Sequence, residues 1–176
     1  MDTLVYKGET YKRYSAKWCD DRNLIVHEML QKELNNEYAK TIDISEWNVK
    51  SLIAEGDRYK TSATYDIAIK FYEEACRKCS RIDMSYILPR ISSCYRKAHQ
   101  SSKAIALFSF AKRKFGVNIM TEPLLTTAAA AYCDLGEYEK AKKCCDTAYM
   151  NHRGMVSNEL RMVYKRIEKE TRGIKE

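Results

Sequence analysis

Glycine and proline are scarce, at 6 and 2 among 176 residues. Tight turns and hairpins draw on those residue types, so few can be present and the chain leans towards helices. Long apolar runs are also missing. No stretch approaches the roughly 18 residues that a membrane-spanning helix needs. The opening MDTLVYKGETYKRYSAKW is charged throughout and has no apolar core of a secretory leader. Seven cysteines, an odd number, without such a leader lead us to expect a cytoplasmic protein with free thiols. Motifs for catalysis are lacking: there is no Walker phosphate loop, GxGxxG, HExxH or GxSxG. Cys76 and Cys79 have CxxC spacing, but no second Cys or His pair follows at zinc-ligand spacing. His27, His99 and His152 stand apart from one another. With no candidate nucleophile, base or metal cage, the sequence reads as a non-enzyme that uses no cofactor and no metal.

Acidic residues are absent from the middle of the chain. Between Asp83 and Glu122 stand seven basic side chains (Arg90, Arg96, Lys97, Lys103, Lys112, Arg113 and Lys114) and no Asp or Glu. The net charge of +7 is moderate, and it is unevenly spread. Residues 1–46 hold 7 basic and 9 acidic side chains, which leaves 24 of the 31 basic and 15 of the 24 acidic for residues 47–176.

What the chain does contain is a repeat. The segments 55–76, 91–112 and 128–149 carry one pattern, displaced by 36 and then 37 residues. Leu (52, 88, 125) is followed at i+4 by a small residue (Gly56, Ser92, Ala129) and at i+7 by Tyr (59, 95, 132). Nine residues beyond each Tyr comes Ala (68, 104, 141), then a larger apolar residue (Tyr72, Phe108, Cys145), then Ala again (75, 111, 148). Spacings of i, i+4 and i+7 mark one face of a helix, twice per unit. Each unit is therefore a helical hairpin, with alanines allowing close approach, and it must stack on a neighbour to bury its apolar face. Gly136 in LGEY is free to leave helical dihedrals at the turn of the third.

This pattern closely resembles the tetratricopeptide repeat, with units at 49–82, 85–118 and 122–155. The usual terminal Pro of that repeat is replaced by Ile82, Gly116 and Arg153. The resemblance implies a mainly α, solenoid-type domain of stacked hairpins over residues 47–176. Residues 157–171 read as a capping helix, with Ser157 as N-cap and Leu160, Val163 and Ile167 on one side; the tail beyond is expected to fray. The first 46 residues read differently. Turn signals at Lys7-Gly8 and Ser15-Ala16 suggest a short β-meander, and Val26, Leu30, Leu34 and Tyr38 an amphipathic helix. Leu4, Tyr6, Tyr11, Tyr14 and Trp18 look too few for a separate core, so this appendage is expected to dock on the first hairpin or across a homo-oligomer.

The resemblance places the first helix of each hairpin on the concave side, where partners usually lie. There stand Lys50, Asp57 and Lys60 from the first repeat and Tyr86, Arg90, Ser93, Arg96 and Lys97 from the second. These are the candidate partner-binding residues. Lys112, Arg113 and Lys114 instead end a second helix, where cations complement the helix dipole. Co-chaperone members of the family hold an acidic C-terminal peptide through a clamp of Lys, Asn, Asn, Lys and Arg. The matching positions here are Ile53, Asp57, Arg90, Pro123 and Thr127, so that particular clamp is not expected. The expected function is a protein-interaction scaffold whose basic concave groove takes a protein or peptide segment, acidic in character, with no membrane role. Nucleic acid is the weaker alternative: a nonspecific binder would carry a more continuous basic excess, and Tyr95 belongs to the core. A third reading is an assembly adaptor acting through the appendage.

Overall fold

The computed structural model describes residues 2–151 and 155–172. The end of the third repeat at 152–154 and the tail at 173–176 lie outside the described residues. The chain divides into two compact units, Met1–Glu46 and Trp47–Glu176.

In the first unit, β1 (Asp2–Tyr6), β2 (Glu9–Tyr14) and β3 (Lys17–Cys19) form an antiparallel meander in the order β1-β2-β3. Register pairs Leu4 with Tyr11 and Arg13 with Trp18. Both turns are two-residue loops with positive φ at each position: 51° and 85° at Lys7 and Gly8, 46° and 66° at Ser15 and Ala16. That handedness matches the twist of paired strands. Helix α1 (Glu28–Thr41) starts at His27, whose Nδ1 accepts from the Leu30 N–H at 3.2 Å. Its Gln31 side chain pairs with the Trp18 backbone in both senses, accepting from N–H at 2.8 Å and donating to C=O at 2.6 Å. The amide thus joins the Val26 N–H and the Cys19–Ile25 bridge in satisfying the outer edge of β3. The expectation that the appendage lacks a core is corrected here. Trp18 and Leu34 are wholly buried with Tyr11, and Leu4, Tyr6, Val26, Leu30 and Tyr38 pack around them. The meander alone is too small, but α1 supplies the second layer that its apolar face requires.

The second unit holds three helical hairpins, α2 (Val49–Thr61) with α3 (Tyr65–Lys78), α4 (Arg81–Lys97) with α5 (Ser101–Phe115), and α6 (Glu122–Asp134) with α7 (Tyr138–Asn151), followed by α8 (Asn158–Arg172). Side-chain caps define several starts: Asn48 Oδ1 accepts from Ser51 N–H at 2.9 Å, Ser80 Oγ from Asp83 N–H at 3.3 Å, and Ser157 Oγ from Leu160 N–H at 3.2 Å. The repeat positions are the core. All six alanines at the helix crossings are buried, as are Leu52, Leu88 and Leu125 and the paired Tyr72, Phe108 and Cys145. Within each hairpin the first helix ends in the same motif. The residue after the C-cap has positive φ (58° at Ala63, 58° at His99, 74° at Gly136). The next N–H donates back to the repeat tyrosine carbonyl: Thr64 to Tyr59 at 2.9 Å, Gln100 to Tyr95 at 2.8 Å and Glu137 to Tyr132 at 2.9 Å. This Schellman closure satisfies carbonyls that the helix end leaves without partners. Only the third copy places glycine there. Helix α8 packs on α6 and α7 through buried Leu160 and Ile167.

Candidate functional site

The first helices of the hairpins carry the residues singled out for binding. On α2 and α4 they form a closed polar cluster. Asp57 accepts from Tyr72 Oη at 2.6 Å, Arg90 Nε at 3.2 Å and Tyr86 Oη at 3.4 Å. The Arg90 guanidinium also lies 3.3 Å from the Tyr86 ring centroid and donates to the Tyr86 carbonyl at 2.9 Å. Pro89, buried one residue earlier, has no N–H for the Ser85 carbonyl. Arg90 is therefore folded back onto its own helix with its charge balanced, and Asp57, a candidate partner-binding residue in the sequence, is its direct partner. Lys50 in the first turn of α2 is exposed, and Lys60 in the last turn is half-buried. Neither lines the hollow described next.

That hollow, about 470 Å3, lies between α4, α6 and α8. Ser93, Arg96 and Lys97 come from α4, Thr126, Thr127 and Ala130 from α6, and Glu159, Met162, Val163 and Arg166 from α8. Apart from Glu159 the rest of the lining is uncharged, and the cations gather at one end. There Arg96 Nε donates to Asp134 Oδ2 at 2.9 Å, Arg166 Nη1 to Asp134 Oδ1 at 2.6 Å, and Ser101 Oγ to Asp134 Oδ2 at 3.0 Å. A second hollow of about 570 Å3, with His99, Ser101 and Ser102, shares Arg96, Lys97 and Arg166. These three cations stand between the two spaces. Asp134 closes α6, where the helix dipole disfavours a carboxylate. Burial also works against its charge, but the bonds from Arg96 and Arg166 outweigh burial and hold its pKa below the ordinary carboxylate value. Lys97 is exposed and has no carboxylate partner among the described residues. Three cations thus face one carboxylate at this end. Glu159 stands seven residues from Arg166 on α8, about 10 Å along the axis at ~1.5 Å per residue.

The structure divides the predicted residues into two sets. Asp57, Tyr86 and Arg90 satisfy one another, whereas Ser93, Arg96 and Lys97 open onto space. Sequence reasoning missed Asp134, Arg166, Met162 and Val163 as wall residues. The capping-helix pattern marks Leu160, Val163 and Ile167 as one side of α8 and carries no signal for Glu159, Met162 and Arg166. Cys76 and Cys79 pack against the core, and no group of three or more His, Cys, Asp or Glu able to hold a metal exists among the described residues. Among the same residues no helix is long and apolar enough to cross a membrane.

Comparison with solved structures places this architecture among tetratricopeptide-repeat domains. The tetratricopeptide-repeat domain of Sgt2 from Aspergillus fumigatus superposes with a TM-score of 0.62 at 16% identity, covering 72% of this chain and 81% of that one. The first such domain of Spaghetti (RPAP3), bound to the HSP90 peptide SRMEEVD, gives 0.57 at 17% identity over 70% and 92%. The Yersinia enterocolitica type III secretion chaperone SycD, in complex with a peptide of the translocator YopD, gives 0.55 at 19% identity over 76% and 97%. No family model matches the sequence, and no curated protein is similar enough to count as a relative. The chain has a tetratricopeptide-type fold, with a three-stranded sheet and helix ahead of it.

Proposed function

We propose that residues 47–176 are a non-enzymatic protein-interaction module, and that its groove between α4, α6 and α8 receives an extended acidic segment of a partner protein. The observation that carries this reading is that Arg96 and Arg166, from two helices, share a single carboxylate, Asp134, while the exposed Lys97 lines the same hollow beside Thr126, Ala130, Met162 and Val163. Such a surface offers fork-shaped donors to carboxylates and an apolar bed to the side chains between them. Peptides bound to Spaghetti (RPAP3) and SycD, which share the fold, support a peptide ligand. Arg90, with its charge balanced by Asp57, shapes the groove rather than gripping the ligand, and Lys50 and Lys60 extend its field.

Fluorescein-labelled peptides of equal length, one Glu-rich, one neutral and one Lys-rich, test this by fluorescence anisotropy. The Glu-rich peptide should bind best and weaken as salt rises, because exposed charges are screened over about 8–10 Å at physiological ionic strength. Lys97→Glu combined with Arg166→Gln should lower its affinity by about tenfold or more. Arg113→Gln with Lys114→Gln, on the last turn of α5, should leave it unchanged. Preference for the Lys-rich peptide, or undiminished binding by the Lys97/Arg166 variant, would refute the assignment.

A further inference from the structure

The opposite layer of the second unit holds a different kind of space. Between α5 and α7, over α6, opens a hollow of about 340 Å3. Its walls are Phe108, Met120, Leu125, Tyr132 and Cys144. Val117, 78% exposed, also lines it, from the short 3-10 turn at Val117–Ile119. Three lysines border this apolar space, Lys112 from α5 and Lys140 and Lys143 from α7, and no Asp or Glu is among the described residues that line it. Lys140 is already engaged, since its ammonium pairs with Glu137 and lies 5.8 Å from the Tyr132 ring centroid. Lys112 and Lys143 are exposed and have no carboxylate partner among the described residues. Lys112 ends α5, so the dipole explains its position in the sequence. It does not explain a second unpaired lysine, from another helix, over the same apolar walls.

We propose that this hollow is a binding site for a small amphiphilic carboxylate, with its apolar body among Phe108, Met120, Leu125 and Tyr132 and its head between Lys112 and Lys143. The volume falls in the range of small-ligand pockets, which are mostly apolar with a few convergent polar groups. Charge complementarity selects the head group. Two ammoniums supply point charges for one anionic head, and no Arg stands among the described lining residues. A single hollow of this size suits a small molecule better than a partner helix, which would need an apolar stripe along its length.

The test is calorimetric titration of the full chain with decanoate, decan-1-ol and decyltrimethylammonium, which share a tail and differ in the head. Decanoate should bind once per chain, saturably, and about tenfold or more tighter than the alcohol, with the cation weakest. Lys112→Gln with Lys143→Gln should bring decanoate down to the affinity of the alcohol and leave the alcohol unaffected. Thr147→Phe, an exposed lining position, should obstruct all three, and helicity by circular dichroism checks that this variant is folded. Lys97→Glu in the groove should change none of these affinities. Equal binding of decanoate and decanol, uptake without saturation, or a lysine variant that binds decanoate normally would each overturn the proposal. Binding of a peptide with an apolar C-terminal residue in place of decanoate would overturn it too, because the occupant would then be a protein segment.

Discussion

Gly56 and Ser92 hold the same position in successive repeats, yet their surroundings assign opposite signs to one substitution. A Cβ added at Gly56 would lie 2.7 Å from Tyr72 Cε1. The ring cannot swing away freely, because its hydroxyl is held by Asp57 at 2.6 Å. Gly56→Ala should therefore destabilise by about 1–3 kcal/mol through overpacking, against the roughly 1 kcal/mol that alanine otherwise adds in a helix. In the repeat Ser92 corresponds to Gly56 and Phe108, which lacks the tyrosine hydroxyl, to Tyr72; the buried Ser92 Oγ has no hydrogen-bond partner. Ser92→Ala, the choice made at Ala129 in the third repeat, should stabilise by about 1 kcal/mol, since it removes an unsatisfied buried hydroxyl. Urea unfolding of both variants checks the pair, and the same sign for both would contradict this account. The repeat shows in the sequence as small-residue positions; which kind of small residue each can accept depends on the ring opposite.

At the scale of the element, the ends of the first helices carry strain that the sequence reveals only once. Gly136 sits at positive φ without penalty, but Ala63 and His99 take the same left-handed conformation with a Cβ. That costs about 1 kcal/mol at a non-glycine residue. Ala63→Gly and His99→Gly should each raise stability by several tenths to about 1 kcal/mol, offset in part by the greater freedom of glycine when unfolded. Thermal melts of the single and double variants measure it; the sites lie in separate hairpins, so the gains should add. A loss at both positions would mean that these helix ends close differently. Helix α8 shows the matching limit of pattern reading. Its buried stripe is evident from Leu160 and Ile167, but Arg166 gains meaning only beside Asp134, 32 residues earlier.

For the whole molecule, the thiols set an alkaline limit on stability. Burial pushes Cys76 and Cys145 up to about 12 and Cys94 and Cys144 up to about 11. A group with a raised folded-state pKa contributes fully below its unfolded value, near 8.5 for a thiol, and loses that contribution as pH rises towards the folded value. Above about pH 9 each such thiol should therefore take away up to about 1.4 kcal/mol per pH unit. Burial, followed by hydrogen bonds to carboxylates, also raises Tyr72, Tyr95 and Tyr164, which extends the loss above about pH 10. Melting temperatures in reductant from pH 7.5 to 10.5 should stay level and then fall from about pH 9; a level profile throughout would show that these groups are not shielded from water.

The hairpins and their core were legible in the chain alone. Leu, small, Tyr and the later alanines sit at local spacings, and a helix converts local spacing directly into a face. The meander was legible too, because its two turns lie within the strands they join. What the second layer of that meander is, and which of the basic residues remain uncommitted, only the tertiary structure decided. Trp18 finds its cover on α1, Arg90 is balanced by Asp57 33 residues away, and Arg96 and Arg166 share Asp134 across three helices. Charge in a sequence is only a count. Whether a cation is free or satisfied depends on carboxylates that folding brings to within a few ångströms, and no local period encodes those distances.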